Sequence, residues 1–233
     1  MKRSVKIAII TMGALPALIS TSLAVIYFSP DSRQAFLGSR TYEILADSFN
    51  DLRPYANFSN SASCVEDLKS LMIEFEPVGQ MRNRSCVVRH GVRIARIGDT
   101  IISPNAVMTC SLAKSLLTWE REVQNTAQEV LGVRISEIRH VGTYNCRDLR
   151  TMPRIRSEHA YANAIDIVSF SSTEGKRYAV RGGWHGNSAV SLFLKSIAAK
   201  ACQLFSVTLT PNSNPAHADH FHLDNGLFMG GDC

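Results

Sequence analysis

His217-Ala-Asp-His-Phe-His-Leu-Asp224 holds three of the seven histidines of this 233-residue chain. His220 and His222 flank Phe221 in an apolar–polar alternation, the pattern of a half-buried strand. Side chains two apart on a strand share a face, so both imidazoles are expected to project together. Two imidazoles make only part of a metal site. A catalytic zinc takes three protein ligands and leaves a fourth position open. The missing ligands have one good source, Ser157-Glu-His-Ala-Tyr-Ala-Asn-Ala-Ile-Asp166.

Asp166 lies inside Ala162-Asn-Ala-Ile-Asp-Ile-Val168, which reads as a strand apolar on both faces and therefore buried. A carboxylate is costly there unless a cation or several donors meet it. His159, seven positions earlier, has enough chain to leave the strand and fold back over its start. His159, Asp166 and the later His-x-His pair thus have the means to enclose one divalent ion. Two nitrogens and a carboxylate oxygen suit zinc. The plainer alternative is a hydrogen-bonded His159–Asp166 pair, with His220 and His222 as ordinary strand residues.

Three segments together carry a resemblance: Gly142-Thr-Tyr-Asn-Cys-Arg147, Ser157 through Ile167, and His217 through Asp224. They resemble the bacterial extensin-like C-terminal domain family and, more widely, the zinc D-Ala-D-Ala carboxypeptidases and murein endopeptidases of the M15-like group, whose fold the hedgehog signalling domain shares. The likeness covers roughly Cys64 to the end. It implies His159, Asp166 and His222 as zinc ligands and His220 as the acid/base or oxyanion-stabilising residue. His217 matches a further histidine of the murein endopeptidases. It also implies a role for Arg147 at a substrate carbonyl or carboxylate, a planar guanidinium suiting either. Ser157, Glu158 and Asp219 are neighbours placed to orient the site. The carboxypeptidases carry a glutamate base shortly before the final ligand. Here Asp219 or His217 stands there, and the base is left open. The implied activity is hydrolysis of stem or cross-link peptides of peptidoglycan. A wall-binding module that keeps the zinc without catalysis is the alternative, and a structural envelope protein a third.

The N-terminus agrees with an exported protein. Lys2, Arg3 and Lys6 precede a charge-free run from Ile7 to Phe28, long enough for a bilayer core. Positive flanks stay cytoplasmic, so residues 1–28 are expected to anchor the chain in the bacterial inner membrane with the rest in the periplasm. The run ends without a small-x-small site, which favours an anchor over a cleaved signal. Residues 29–63 read as a linker with a short helix over 42–52, and 64–233 as one domain. Beyond Lys6 the chain carries 22 basic and 20 acidic residues, scattered rather than striped, which leaves no nucleic-acid footprint. All six cysteines follow the apolar run, and an even count in an exported region argues for disulfides. Chain order suggests 64–86, 110–146 and 202–233.

The domain reads as α+β: a small central antiparallel sheet with flanking helices. A helix is expected over 65–73. Strands are expected over 87–95 and 100–103, joined around Gly98-Asp99. Ser103 and Pro104 are expected to start a long helix that Gly132 ends, with Trp119 in its core face. Further strands read over 133–144, 164–170, 177–180 and 206–210, and a second amphipathic helix over 188–204.

Overall fold

The structure, a computed structural model, describes residues 39–56, 62–83, 85–150, 152–227 and 230–231. The segment read as an anchor lies outside the described residues. Among these, no helix is long and apolar enough to cross a membrane. The fold is mixed α/β. Among the described residues, nine strands form one sheet in the order β1 (Ile73–Asn83), β2 (Cys86–Ile97), β3 (Thr100–Thr109), β4 (Ile135–Gly142), β7 (Ala164–Ser172), β10 (Phe221–Asp224), β9 (Val207–Leu209), β11 (Gly230–Gly231), with β8 (Arg177–Ala179) paired to β7. The expected small antiparallel sheet is thus corrected in size and in direction: β3 (Thr100–Thr109) runs parallel to β4 (Ile135–Gly142), and β9 (Val207–Leu209) parallel to β11 (Gly230–Gly231). Parallel neighbours need a crossover, and the 22-residue helix α3 (Cys110–Leu131) supplies it between β3 and β4.

Helix α3 packs against α4 (Ala189–Leu204), and both cover one face of the sheet. Trp119 is the centre of that layer, as its position on the apolar face of α3 predicts. Its ring lies 6.0 Å from Phe170 of β7 (Ala164–Ser172), and its Nε1–H donates to the Ile197 carbonyl of α4 at 2.8 Å. Phe193 of α4 meets Phe170 edge-on at 5.5 Å. We expect Trp119→Ala to cost about 4 kcal/mol, from lost burial, a residual cavity and the lost hydrogen bond from Nε1. Urea unfolding of wild type and variant measures it.

Two boundaries differ from the sequence reading for a physical reason. Helix α3 begins at Cys110, not after Ser103, because Thr109 is the cap that accepts the N–H of Leu112 (3.2 Å). Pro104 sits instead inside β3, in the irregular stretch between its two runs of pairing with β2 (Cys86–Ile97), where no ladder hydrogen bond is required. The helix expected over 65–73 is α2, Ala62–Leu68, and Ile73 already opens β1 (Ile73–Asn83). That strand has no clean alternation in its sequence. It is the sheet edge, with register shifts at Pro77 and Gly79, which is where proline is tolerated.

The disulfides also correct expectation. Cys64 pairs with Cys110, tying α2 to the start of α3, and Cys86 with Cys146, tying β2 to the loop after β4. Sequence neighbours were the wrong guide because the sheet brings distant segments side by side. Cys202 is disulfide-bonded, and its expected partner, Cys233, lies outside the described residues. Within the segment read as a linker, Ser39–Ala56 form helix α1, longer than the 42–52 expected. It is seated on the domain through Asn50.

Candidate metal centre

β7 is the strand on which the site is built. Its first half pairs antiparallel with β10 (Phe221–Asp224), and the register sets His222 opposite Asp166. Directly opposed residues bring their side chains together. His159 arrives from a single 3-10 turn, Glu158–Tyr161, capped by Ser157, whose hydroxyl accepts the His159 N–H (3.4 Å). Ala162 then takes a left-handed φ of 53°, which reverses the chain from that turn into β7. So His159 folds back over the start of its own strand, as its spacing from Asp166 allows.

The three ligand atoms lie within 4.8 Å of one another. His159 Nε2 is 3.2 Å from Asp166 Oδ2 and 3.2 Å from His222 Nδ1, and His222 Nδ1 is 2.9 Å from Asp166 Oδ1. Their tautomers follow from what each ring touches on its far side. The Thr143 carbonyl can only accept, so His159 Nδ1 carries a proton toward it (3.3 Å) and Nε2 is left with a lone pair. Asp224 Oδ2 accepts from His222 Nε2 (2.9 Å), which leaves His222 Nδ1 as the inward atom. Asp224 is itself fixed by the N–H of Gly226 (2.8 Å). Two imidazole nitrogens and a carboxylate thus converge on one point, in a region where the His159 side chain is only 3% exposed. Without a cation, such a cluster repels itself. A carboxylate or carbonyl behind each ligating imidazole is the arrangement that orients histidines on a metal. The donor set, two nitrogens and one oxygen with space beyond, fits zinc.

Without a metal, a proton takes the cation's place. Burial pulls the His222 pKa down, but hydrogen bonds to Asp166 and Asp224 outweigh it and raise it to about 9. Burial likewise opposes ionisation of Asp166, and the imidazoles of His159 and His222 beside its carboxylate prevail, holding it far below the usual carboxylate range.

His220 lies just before β10 rather than on it. The two residues that share a strand face are therefore His222 and Asp224, not His220 and His222. His220 still faces the centre, its Nε2 3.7 Å from Asp166 Oδ1, while its Nδ1–H donates to Asp219 at 2.8 Å. His217 stands on the turn Pro215–His217, its Nδ1–H held by Asn214 Oδ1 (2.9 Å), with its ring 5.0 Å from that of His220. Burial, then the neighbouring His220 and His222, lower the His217 pKa to about 4, so it is neutral at physiological pH. A hydrogen bond from His220 holds Asp219 low.

Asp166, His217, His220 and His222 open on a cavity of about 520 Å³ whose walls include Arg147, Arg150, Arg156 and Ser157. Glu158 also borders it, its Oε2 accepting from Asn163 Nδ2 (3.0 Å). The chain between Thr143 and Arg147 is tied to this floor: Asn145 N–H donates to the His159 carbonyl (3.0 Å), and Cys146 is in the disulfide to Cys86. The sequence reading named every histidine here but missed Thr143 and Asp224. A carbonyl leaves no trace in a sequence. Asp224 was legible, two residues after His222 on the same strand.

A family model described as Extensin-like protein C-terminus matches residues 62–230. The chain belongs to that family. No curated protein and no solved structure matches it. The extensin-like region begins with α2 and ends within β11, so it contains the sheet up to Gly230 and every group of the centre. Helix α1 precedes it.

Proposed function

We propose that this extensin-like domain is a zinc-dependent peptidoglycan amide hydrolase of the M15-like, hedgehog-fold type. On this reading residues 1–28 hold it in the bacterial inner membrane and it acts in the periplasm on stem or cross-link peptides. The observation that carries the proposal is the convergence of His159 Nε2, His222 Nδ1 and Asp166 on one point at the floor of an arginine-walled cavity.

His159, Asp166 and His222 would hold the zinc. Zinc so held supplies a Lewis acid and acidifies water to a pKa of about 7. The remaining work falls to side chains. Asp219 fixes the proton on His220 Nδ1, so His220 Nε2 is free to take a proton at the cavity floor and pass it to the departing amine. Arg147 Nη1 donates to the Asp148 carbonyl (3.3 Å), and the rest of its guanidinium suits a substrate carbonyl or carboxylate.

Purified sacculi incubated with the zinc-loaded domain are expected to release peptides. His220→Ala is expected to lower that rate about a thousand-fold while retaining zinc. Binding to sacculi without release, in protein that holds zinc, would instead mark the domain as a wall-binding module.

A further inference from the structure

Helix α1 lies outside the family-matched residues, yet it is seated on a wall of the cavity. That wall is a ribbon of β5 (Asp148–Leu149) and β6 (Met152–Arg156), a two-stranded piece separate from the main sheet. Arg147, Leu149, Arg150 and Arg156 reach the cavity from it. Two strands alone are marginal in water, so what pins this pair decides where the arginines stand. Arg156 bonds the Asp148 carboxylate and the Ser85 hydroxyl, and the N–H of Ser157 donates to the Arg147 carbonyl at 3.1 Å.

The grip of α1 is specific. Asn50 Nδ2 donates to the Arg154 carbonyl, and Asn50 Oδ1 accepts the N–H of Arg156 (3.0 Å). A carbonyl and the N–H two residues on are the groups that a further strand would take from an edge. One side-chain amide takes both. The residue so held is strained: Arg154 has φ 68°, a left-handed conformation that side chains other than glycine rarely adopt. Asp148 Oδ2 secures it from the other strand by accepting its N–H (2.9 Å). Tyr161, on the turn that carries His159, donates its hydroxyl to the Asn50 carbonyl (3.4 Å). The Glu43–Arg154 pair at 3.5 Å adds little, both ends being exposed.

We infer that Asn50 is a positioning residue, through which α1 clamps β6 and sets the arginine-bearing wall against the metal centre. The clamp itself is independent of the chemistry, and its effect on substrate rests on the peptidase reading. In the full chain, Asn50→Ala is compared with Asn50→Asp, which keeps the acceptor for Arg156 and loses the donor to Arg154. Amide hydrogen exchange in the β5–β6 ribbon is expected to quicken about ten-fold in the alanine variant and less in the aspartate variant, with β7 and β10 unchanged. If alanine costs the fold, the aspartate variant decides alone. Unchanged exchange in the ribbon, or an equal rise in β7 and β10, overturns the clamp. With peptide substrate, KM is expected to rise while kcat and zinc affinity hold. A parallel loss of zinc affinity overturns the inference, because the effect would then run through His159. If wild type cleaves no peptide, the peptidase reading falls and exchange alone judges the clamp.

Discussion

Replacing Asp166 by alanine is expected to remove bound zinc at micromolar metal while leaving the domain folded. A structural zinc site of about 12 kcal/mol shared among its ligands is worth about 4 kcal/mol for each, or roughly a thousand-fold in affinity. The loss should exceed this share, because Asp166 is the one anionic ligand among His159 and His222. The fold is expected to survive because β7 keeps its pairing with β4 and β10 through the backbone. Without the carboxylate, His222 loses one of the two partners that raise its pKa. Elemental analysis of wild type against Asp166→Ala, with circular dichroism on both, tests this directly. One equivalent of zinc retained by the variant would remove Asp166 from the ligand set and the centre from the proposal.

The second large effect is on pH. In the metal-free protein the His222 pKa is raised to about 9 from 6.5, so zinc must displace a proton from Nδ1 at neutral pH. Apparent zinc affinity is therefore expected to rise about ten-fold per pH unit from roughly 6.5 to 9 and then flatten. The stability of the metal-free form has the opposite sign. A group whose folded pKa is raised stabilises fully below its unfolded pKa, and loses that contribution as pH climbs through the folded one. For His222 this amounts to roughly 3 kcal/mol between pH 6.5 and 9. Thermal melts with chelator should fall across that window, and melts at saturating zinc should not. Asp224→Asn removes the charge and one of the two acceptor oxygens that serve His222 Nε2 and the Gly226 N–H, and should cost about 10- to 100-fold in zinc affinity at pH 7.5. A chelator-competition titration that came out flat between pH 6.5 and 8.5 would mean that no proton leaves His222 on binding.

The amino-acid sequence carries what local chemistry dictates. Asp166 among Ala, Ile and Val demanded a counter-charge whatever the fold, since desolvation depends only on being surrounded by apolar neighbours. The helix around Trp119, the hairpin turn at Gly98 and the strand starting at Ala164 were legible for the same reason, because periodicity and turn chemistry are properties of short stretches. At Gly98 the structure adds a second reason for the glycine: a Cβ there would stand 2.3 Å from the buried Glu120 carboxylate.

Only the tertiary structure decided what depends on distant segments meeting. The register that sets His222 opposite Asp166, the Thr143 carbonyl behind His159, the cross-links 64–110 and 86–146, and the seat of Asn50 on β6 all join residues far apart in the chain. Pairing of that kind is chosen by how the sheet orders its strands, and strand order is a global minimum rather than a local preference. The amino-acid sequence by itself therefore determined which buried carboxylate needs a counter-charge. The assembled sheet determined which nitrogen of each imidazole faces it, because a tautomer is set by the partner on the ring's far side.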